Sequence, residues 1–181
     1  MRCLIISGNP KTDGLCDSVT KEVVAGAQDA GAEVHILKTD NIGRCRVCKD
    51  GWGICRAEHK CAFGKDGFDD AQLAVKNADV ICLITPVYWG EMTESLKCFT
   101  DRLRRCEFGQ NGALSGKKVL LIASPGGSGN GMLSALEQMD RFCRNVGADI
   151  VDYIGVNRQN CEYKRVAAYE AARALVACTI T

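Results

Sequence analysis

The stretch from residue 79 to residue 90 limits the possible folds most strongly. It begins with the apolar run Val80-Ile-Cys-Leu-Ile84 and ends in the turn Pro86–Gly90. A short run that is apolar on both faces is typical of a parallel strand covered by helices on both sides. A helical pattern then extends from residue 91 to residue 103. Its apolar face carries Leu96, Phe99 and Leu103.

The turn after this strand contains two aromatic side chains, Tyr88 and Trp89. An open α/β sheet binds planar ligands at the carboxyl ends of its central strands, so the turn predicts a ligand site. The alternative is that the two rings only cover the end of the sheet. Three cations end the following helix, where they complement its dipole: Arg102, Arg104 and Arg105.

The other apolar segments alternate with helical patterns along the chain. Strands are predicted at residues 2–7, 33–38, 117–124 and 149–156. Helices are predicted at residues 16–30, 68–77, 132–146 and 162–177. This alternation predicts a single α/β domain over residues 1–181, a three-layer sandwich with a parallel sheet in the order 2-1-3-4-5.

Two further loops are expected at the same edge of the sheet. The first, after residue 7, leads into a helix whose N-terminus and neighbouring polar groups suit an anion. The polar residues available there are Ser7, Asn9, Lys11, Thr12 and Ser18. The other loop, residues 125–131, has four glycines in seven residues, so its N–H groups are open to a ligand. A flexible connector is the alternative for this glycine-rich loop.

Charge and hydropathy exclude several classes of protein. The net charge is +1 with no basic block, which argues against a nucleic-acid partner. No apolar run reaches the roughly 18 residues of a membrane span. The apolar run at residues 3–6 is too short for a signal peptide, so we expect a cytoplasmic protein.

Cysteine is unusually frequent, with twelve residues in the chain. Four of them lie in a long loop, residues 41–67, with the spacing C-x2-C-x6-C-x5-C: Cys45, Cys48, Cys55 and Cys61. Four thiolates in one loop could bind an iron–sulfur cluster or zinc, or could pack without metal. His59 is a further candidate ligand, and Trp52 is expected to pack this loop onto the body of the protein.

The sequence resembles the flavodoxin-like NAD(P)H-dependent FMN reductases, especially their iron–sulfur flavoprotein branch. The resemblance covers nearly the whole chain. It rests on Ser7-Gly-Asn-Pro-Lys11, the cysteine loop with Asp69-Asp70, Thr85-Pro-Val-Tyr-Trp-Gly90, and Leu96-Lys97 with Phe99 and Asp101-Arg102.

The resemblance implies a set of FMN-binding residues. The phosphate would be held by Ser7, Asn9, Lys11 and Ser18. The ribityl chain and the ring would contact Pro86, Val87, Tyr88, Trp89 and Gly90. The polar edge of the ring would face Ser124, Gly126, Gly127, Ser128 and Gly129. The four loop cysteines would be the metal ligands.

The resemblance also implies a reaction. Hydride would pass from NADH or NADPH to the flavin, and electrons would continue to a small-molecule or protein acceptor, through an iron–sulfur cluster if one is present. No side chain is assigned as a catalytic acid or base. Relatives of this kind are commonly homo-oligomers.

Two other functions stay open at this point. One is a non-enzymatic, flavodoxin-like electron carrier, against which the near-zero net charge argues mildly. The other is a thiol- or zinc-based regulatory protein on the same scaffold, because fold alone does not determine function.

Overall fold

The computed structural model describes residues 1–109 and 112–180. The strands are β1 Arg2–Ser7, β2 Glu33–Lys38, β3 Val80–Tyr88, β4 Glu91–Met92, β5 Lys118–Ser124 and β6 Asp149–Gly155. The helices are α1 Gly14–Asp29, α2 Phe68–Asn77, α3 Glu94–Cys106, α4 Met132–Asn145 and α5 Cys161–Ile180. A short 3-10 helix, Gly64–Asp66, ends the cysteine loop.

Five parallel strands form the sheet in the order β2-β1-β3-β5-β6. Counted without the short antiparallel strand β4, this is the predicted order 2-1-3-4-5. The three-layer, flavodoxin-like α/β architecture predicted from the sequence is therefore confirmed. None of the helices in the described part of the chain is long and apolar enough to cross a membrane.

The alternating side chains of the central strands build two separate cores. Ile81 and Leu83 of β3 belong to a core that also includes Phe68 of α2 and Phe99 of α3. The opposite face carries Ile84 and belongs to a core with residues of α1 and α5. Burying a side chain such as Ile or Leu contributes about 1.5–3 kcal/mol, so both faces hold β3 in the middle of the sandwich.

The sequence-based start of the third helix was wrong by three residues. Residues Glu91 and Met92 do not begin a helix but pair antiparallel with Tyr88 and Val87. Both residues of the connecting turn, Trp89 and Gly90, have positive φ angles, 52° and 87°. Positive φ at both central residues is characteristic of a two-residue hairpin turn, and helix α3 starts only after this hairpin.

The hairpin turn lies directly against the glycine-rich loop. A Cβ atom on Gly131 would overlap the Gly90 backbone, and Gly131 itself has φ of 77°. Only a residue without a side chain fits this backbone conformation and this close approach. The two loops that follow β3 and β5 therefore support each other through a contact between glycines.

The Gly131→Ala variant should lower the free energy of unfolding by about 2 kcal/mol or more, because the new methyl group combines overlap with an unfavourable φ. Urea denaturation measures this loss. Gly126→Ala is the matched control, since a Cβ there meets open space and its φ is not positive. Equal stability of the two variants would contradict the proposed packing.

Candidate functional site

The loops after β1, β3 and β5 meet at the carboxyl edge of the sheet because these strands are neighbours. Ser7 is paired in register with Ile84, and Pro86 is paired with Ser124. The Gly8 N–H donates a hydrogen bond of 2.9 Å to the Ile84 carbonyl oxygen. The structure thus brings three of the predicted groups of site residues to one edge.

The first loop is ordered by its own polar side chains. The Ser7 hydroxyl accepts a hydrogen bond from the Asn9 N–H, and the Asn9 side-chain oxygen accepts one from the Lys11 N–H, each at 3.2 Å. Ser18 is the fifth residue of α1, and its hydroxyl donates to the Leu15 carbonyl oxygen at 2.8 Å. Ser7 and Asn9 are buried, whereas the Lys11 side chain is exposed.

Helix α1 presents its N-terminus at this loop. Asp13, at the N-cap position, makes no side-chain hydrogen bond to the helix. The first N–H groups of a helix have no partner within the helix, so they are available to an anion. Asp17, the acidic residue in this first turn, is paired with Lys21 at 2.8 Å.

The aromatic turn projects into solvent. Trp89 is fully exposed (relative accessibility 103%), and Tyr88 is about half exposed (45%). Trp89 therefore does not cover the sheet, which was the alternative suggested by the sequence. Val87 is half-buried and Pro86 is buried at the base of the turn. A planar ring without intramolecular packing is available to stack on a flat ligand.

The third loop contains a buried hydroxyl without a partner. Ser124 is 3% exposed, and its Oγ makes no hydrogen bond to any described residue. Gly126 and Gly127 face open space, Gly129 lies near Asn157, and the Ser128 hydroxyl accepts a hydrogen bond from the Asn130 N–H at 3.3 Å. A buried polar group without a partner is costly, so Ser124 indicates a ligand with a hydrogen-bonding group at this position.

The four loop cysteines line a single cavity of about 580 Å³. Each of Cys45, Cys48, Cys55 and Cys61 is half-buried. Within residues 1–109 and 112–180, however, no three Cys, His, Asp or Glu side chains are gathered closely enough to hold a metal ion. The donor atoms are therefore of the right kind and line one space, but the structure does not group them as ligands.

His59, the other candidate ligand, is not among the residues that line this cavity. A ring nitrogen of His59, Nδ1, lies 2.9 Å from the backbone oxygen of Cys106. Cys106 itself, in the last turn of α3, is a fifth cysteine at the cavity wall. Burial, together with the nearby Cys61 and Cys55, raises the pKa of Cys106 to about 12.

Arg102 anchors the cysteine loop, a role that the sequence analysis missed. Its side chain is 2% exposed, not solvated at the end of the helix. The guanidinium donates to both carboxylate oxygens of Asp66, at 2.6 and 3.1 Å. It also donates to the carbonyl oxygens of Gly43 at 2.9 Å and Phe63 at 3.0 Å, and to the Cys61 sulfur at 3.3 Å.

The spacing of Arg102 from Phe99 and Leu103 gave a hint of this burial. An arginine next to an apolar helix face can lie at the edge of the core, but only the folded loop supplies its acceptors. Its Cζ atom lies 4.2 Å from the centre of the Phe68 ring. Its Nε is buried without a partner among the described residues, and the side chain lines the cysteine cavity.

Trp52 packs the middle of the loop onto α3, as expected from the sequence. Its ring centre lies 4.9 Å from that of Phe108, and the Arg105 guanidinium is 5.2 Å from the ring. Arg105 also donates a hydrogen bond to the Gly51 carbonyl oxygen. The C-terminal half of α3 therefore holds the loop at both its middle and its ends.

A groove of about 860 Å³ joins the aromatic turn to the cysteine loop. Tyr88 and Trp89 of the turn line it, and so do Cys45 and Val47 of the cysteine loop. Cys45 also lines the cysteine cavity. The two groups of predicted site residues are therefore neighbours on one surface.

Acid should release the cysteine loop. Hydrogen bonds from Arg102 lower the pKa of Asp66 below its usual range. A depressed carboxyl pKa stabilises the fold above the unfolded value of about 3.9, and this contribution is lost as the pH falls through the folded pKa. Trp52 fluorescence in a Trp89→Phe background should therefore change below about pH 4, and Asp66→Asn should abolish that transition.

Asp140→Asn is the matched control for this titration. Arg144 lowers the pKa of Asp140 in the same way, but Asp140 lies in α4 and does not contact the loop. Far-ultraviolet circular dichroism distinguishes local release from general unfolding. An unchanged fluorescence titration in Asp66→Asn would contradict the assigned role of the ion pair.

Two archaeal proteins of known sequence are similar to this chain. The iron–sulfur flavoprotein of Methanosarcina thermophila is 31% identical over 136 residues, which cover 72% of this chain and 66% of that protein. The iron–sulfur flavoprotein of Methanocaldococcus jannaschii is 27% identical over 144 residues, covering 78% of this chain and 71% of that protein.

Solved structures share the fold at low sequence identity. The NAD(P)H:quinone oxidoreductase from Methanothermobacter marburgensis has a TM-score of 0.76 and 18% identity, with 97% of this chain and 96% of that chain covered. A flavodoxin from the domain Archaea has a TM-score of 0.68 and 12% identity, and both chains are covered completely. The family model for NADPH-dependent FMN reductase matches residues 1–160, and the chain therefore belongs to this family.

Proposed function

We propose that this protein is an FMN-dependent oxidoreductase that oxidises NADH or NADPH and delivers the electrons to a small-molecule or protein acceptor. The observation that supports this most directly is the buried, unpartnered hydroxyl of Ser124, which is paired in register with Pro86 at the base of the turn that carries the exposed rings of Tyr88 and Trp89. Family membership supplies the identity of the ligand.

The residues at the sheet edge suit the three chemically different parts of FMN. The N-terminus of α1 and Lys11 offer N–H groups and a positive charge to the phosphate, with Ser7, Asn9 and Ser18 shaping the loop. The turn Pro86–Gly90 offers an apolar and aromatic surface to the ribityl chain and the ring. Ser124 and the loop Gly126–Gly129 offer polar donors to the ring edge.

Bound FMN would supply hydride acceptance and the release of electrons singly or in pairs. The protein's part is to bind the cofactor, orient it and leave one face open to a nicotinamide. The hairpin turn suits this role because the Trp89 side chain is exposed to solvent and does not close the edge of the sheet. No described side chain is needed as a proton donor in this proposal.

We further propose that Cys45, Cys48, Cys55 and Cys61 hold an iron–sulfur cluster through which electrons leave or enter. The support is the donor set: four thiols line one cavity beside a buried guanidinium with an unpartnered Nε, which suits an anionic cluster. The thiols would have to move closer together to become its ligands. The groove shared with the aromatic turn brings this cavity next to the proposed flavin site. We also propose a homo-oligomer in the cytoplasm, in line with the family resemblance.

The first test is an absorption spectrum of protein purified without oxygen, with iron and zinc measured on the same sample and NADH and NADPH oxidation assayed. Flavin bands with NAD(P)H oxidation support the enzyme, and added iron absorption supports the cluster. Flavin without NAD(P)H oxidation would indicate an electron carrier. A colourless protein that does not take up FMN would disprove the proposal.

Ser124→Ala separates ligand binding from stability. Loss of the hydroxyl should weaken FMN binding about 10-fold, equivalent to about 1.4 kcal/mol, because one ligand hydrogen bond is removed. The unfolding free energy of the apoprotein should stay equal or rise, because a buried unpartnered group disappears. Fluorescence titration with FMN measures the affinity, and Ser134→Ala, in an exposed position of α4, is the control.

Cys48→Ser tests the second part of the proposal. This variant should lose bound iron and keep FMN, because the cysteine loop and the flavin loops are different segments of the chain. Iron and flavin are counted per chain in the purified protein. Simultaneous loss of FMN and iron would show that the loop is needed for the fold of the flavin site.

A further inference from the structure

We infer that Arg102 is the positioning residue of the cysteine loop, and that its charge sets the reduction potential of the group that the loop cysteines hold. The inference rests on the proposed cluster. It goes further because it assigns a role to a side chain that is not itself a proposed ligand of the cluster or of FMN.

Arg102 connects the two ends of the loop. Its acceptors come from Gly43, before the first cysteine, and from Phe63 and Asp66, after the last one. A residue of a regular helix thus closes the segment that contains all four cysteines. Because the guanidinium is planar and donates in several fixed directions, these contacts define one loop conformation.

Arg102 also contacts a candidate ligand directly. Its Nη2 lies 3.3 Å from the Cys61 sulfur. Hydrogen bonds to ligand sulfurs and the net charge around a cluster are two of the factors that set its potential. A cation at this position stabilises the reduced form, which carries one more negative charge, and so raises the potential.

The ionisable groups of the cavity wall support this electrostatic role. Besides the cysteines, the lining residues with ionisable side chains are four arginines and one aspartate: Arg44, Arg46, Arg102, Arg105 and Asp66. Four guanidinium groups against one carboxylate leave an excess of positive charge around the thiols. Arg102 is the buried member of this set, and its Nε has no partner among the described residues.

Asp66 compensates only part of the positive charge of the four arginines at the cavity wall. Its carboxylate, bound through both oxygens, neutralises Arg102 and leaves the other three guanidinium groups of the cavity wall without a carboxylate among the lining residues. A buried charge needs a partner of opposite sign nearby. An anionic group held by Cys61 and the other cysteines would supply the remaining compensation.

The experiment compares the full chain with Arg102→Gln, Arg102→Lys and Arg104→Gln, each loaded with FMN and reconstituted with ferrous iron and sulfide without oxygen. Arg104 is the matched control, because it is an arginine of the same helix that does not line the cavity. Iron retention is measured by competition with a chelator. The midpoint potential of the cluster is measured by spectroelectrochemistry, and loop order is measured by the rate of trypsin cleavage within residues 44–60.

Arg102→Gln should retain iron about 10-fold less well and should shift the potential to a more negative value. Arg102→Lys should restore much of the potential, because the charge remains. It should not restore iron retention, because one ammonium group cannot serve acceptors from Gly43, Phe63 and Asp66 in the same fixed geometry. Arg104→Gln should behave like the unmodified chain.

Iron retention and potential in Arg102→Gln equal to those of Arg104→Gln would overturn the inference. If Arg102→Gln does not fold, Arg102→Lys decides, and undiminished iron retention in that variant would overturn it. If the unmodified chain takes up no iron, the proposed iron–sulfur cluster is disproved. The rate of trypsin cleavage in the loop then tests the positioning role of Arg102 alone. The positioning role then requires Arg102→Gln to be cut about 10-fold faster than Arg104→Gln, and equal rates would refute it.

Discussion

Strand β3 is the element on which the rest of the structure depends. It pairs with parallel neighbours on both edges and is buried on both faces. Parallel neighbours require connections that all start from the same edge of the sheet, so the loops after β1, β3 and β5 must meet. The position of the site therefore follows from the burial of one apolar strand and does not depend on contacts among its polar residues. The polar residues then determine which ligand this edge can bind.

Arg102 imposes the second constraint, which acts on the cysteine loop. Burial of a guanidinium is costly unless its charge and its N–H groups find partners. The cysteine loop supplies these partners. It has little regular secondary structure, and its 3-10 helix, Gly64–Asp66, has only three residues. The cysteine loop thus depends on α3 for its defined conformation. Arg102 depends on the loop for a partner to its charge and acceptors for its N–H groups. Because each requires the other, this segment and the C-terminal half of α3 are expected to become ordered together.

Much of the fold followed from hydrophobic patterns alone. The run Val80–Ile84 identified the central strand, and alternation with helices was enough to predict a parallel sheet. The order 2-1-3-4-5 was taken from the doubly wound arrangement in which strands one and three are neighbours. Glu91 and Met92 were misassigned because their sequence is compatible with a helix, and only the unusual positive φ of Trp89 makes the hairpin. Helix propensity is weak compared with such tertiary constraints. Arg102 was missed for a similar reason, since no local pattern shows that acceptors from residues 43, 63 and 66 will surround it.

Helix α3 connects the two parts of the candidate site. At its N-terminal end, the Thr93 N–H donates to the Thr85 hydroxyl of β3 at 3.1 Å, and Leu96 packs against Gly8 of the first loop. Arg102, which holds the cysteine loop, lies nine residues after Thr93, and this spacing corresponds to about 14 Å along a helix axis. A helix packed through Leu96, Phe99 and Leu103 into the core cannot change this separation without losing buried surface. The fold therefore fixes the distance between the aromatic turn and the cysteine cavity, as electron transfer between two groups bound there would require.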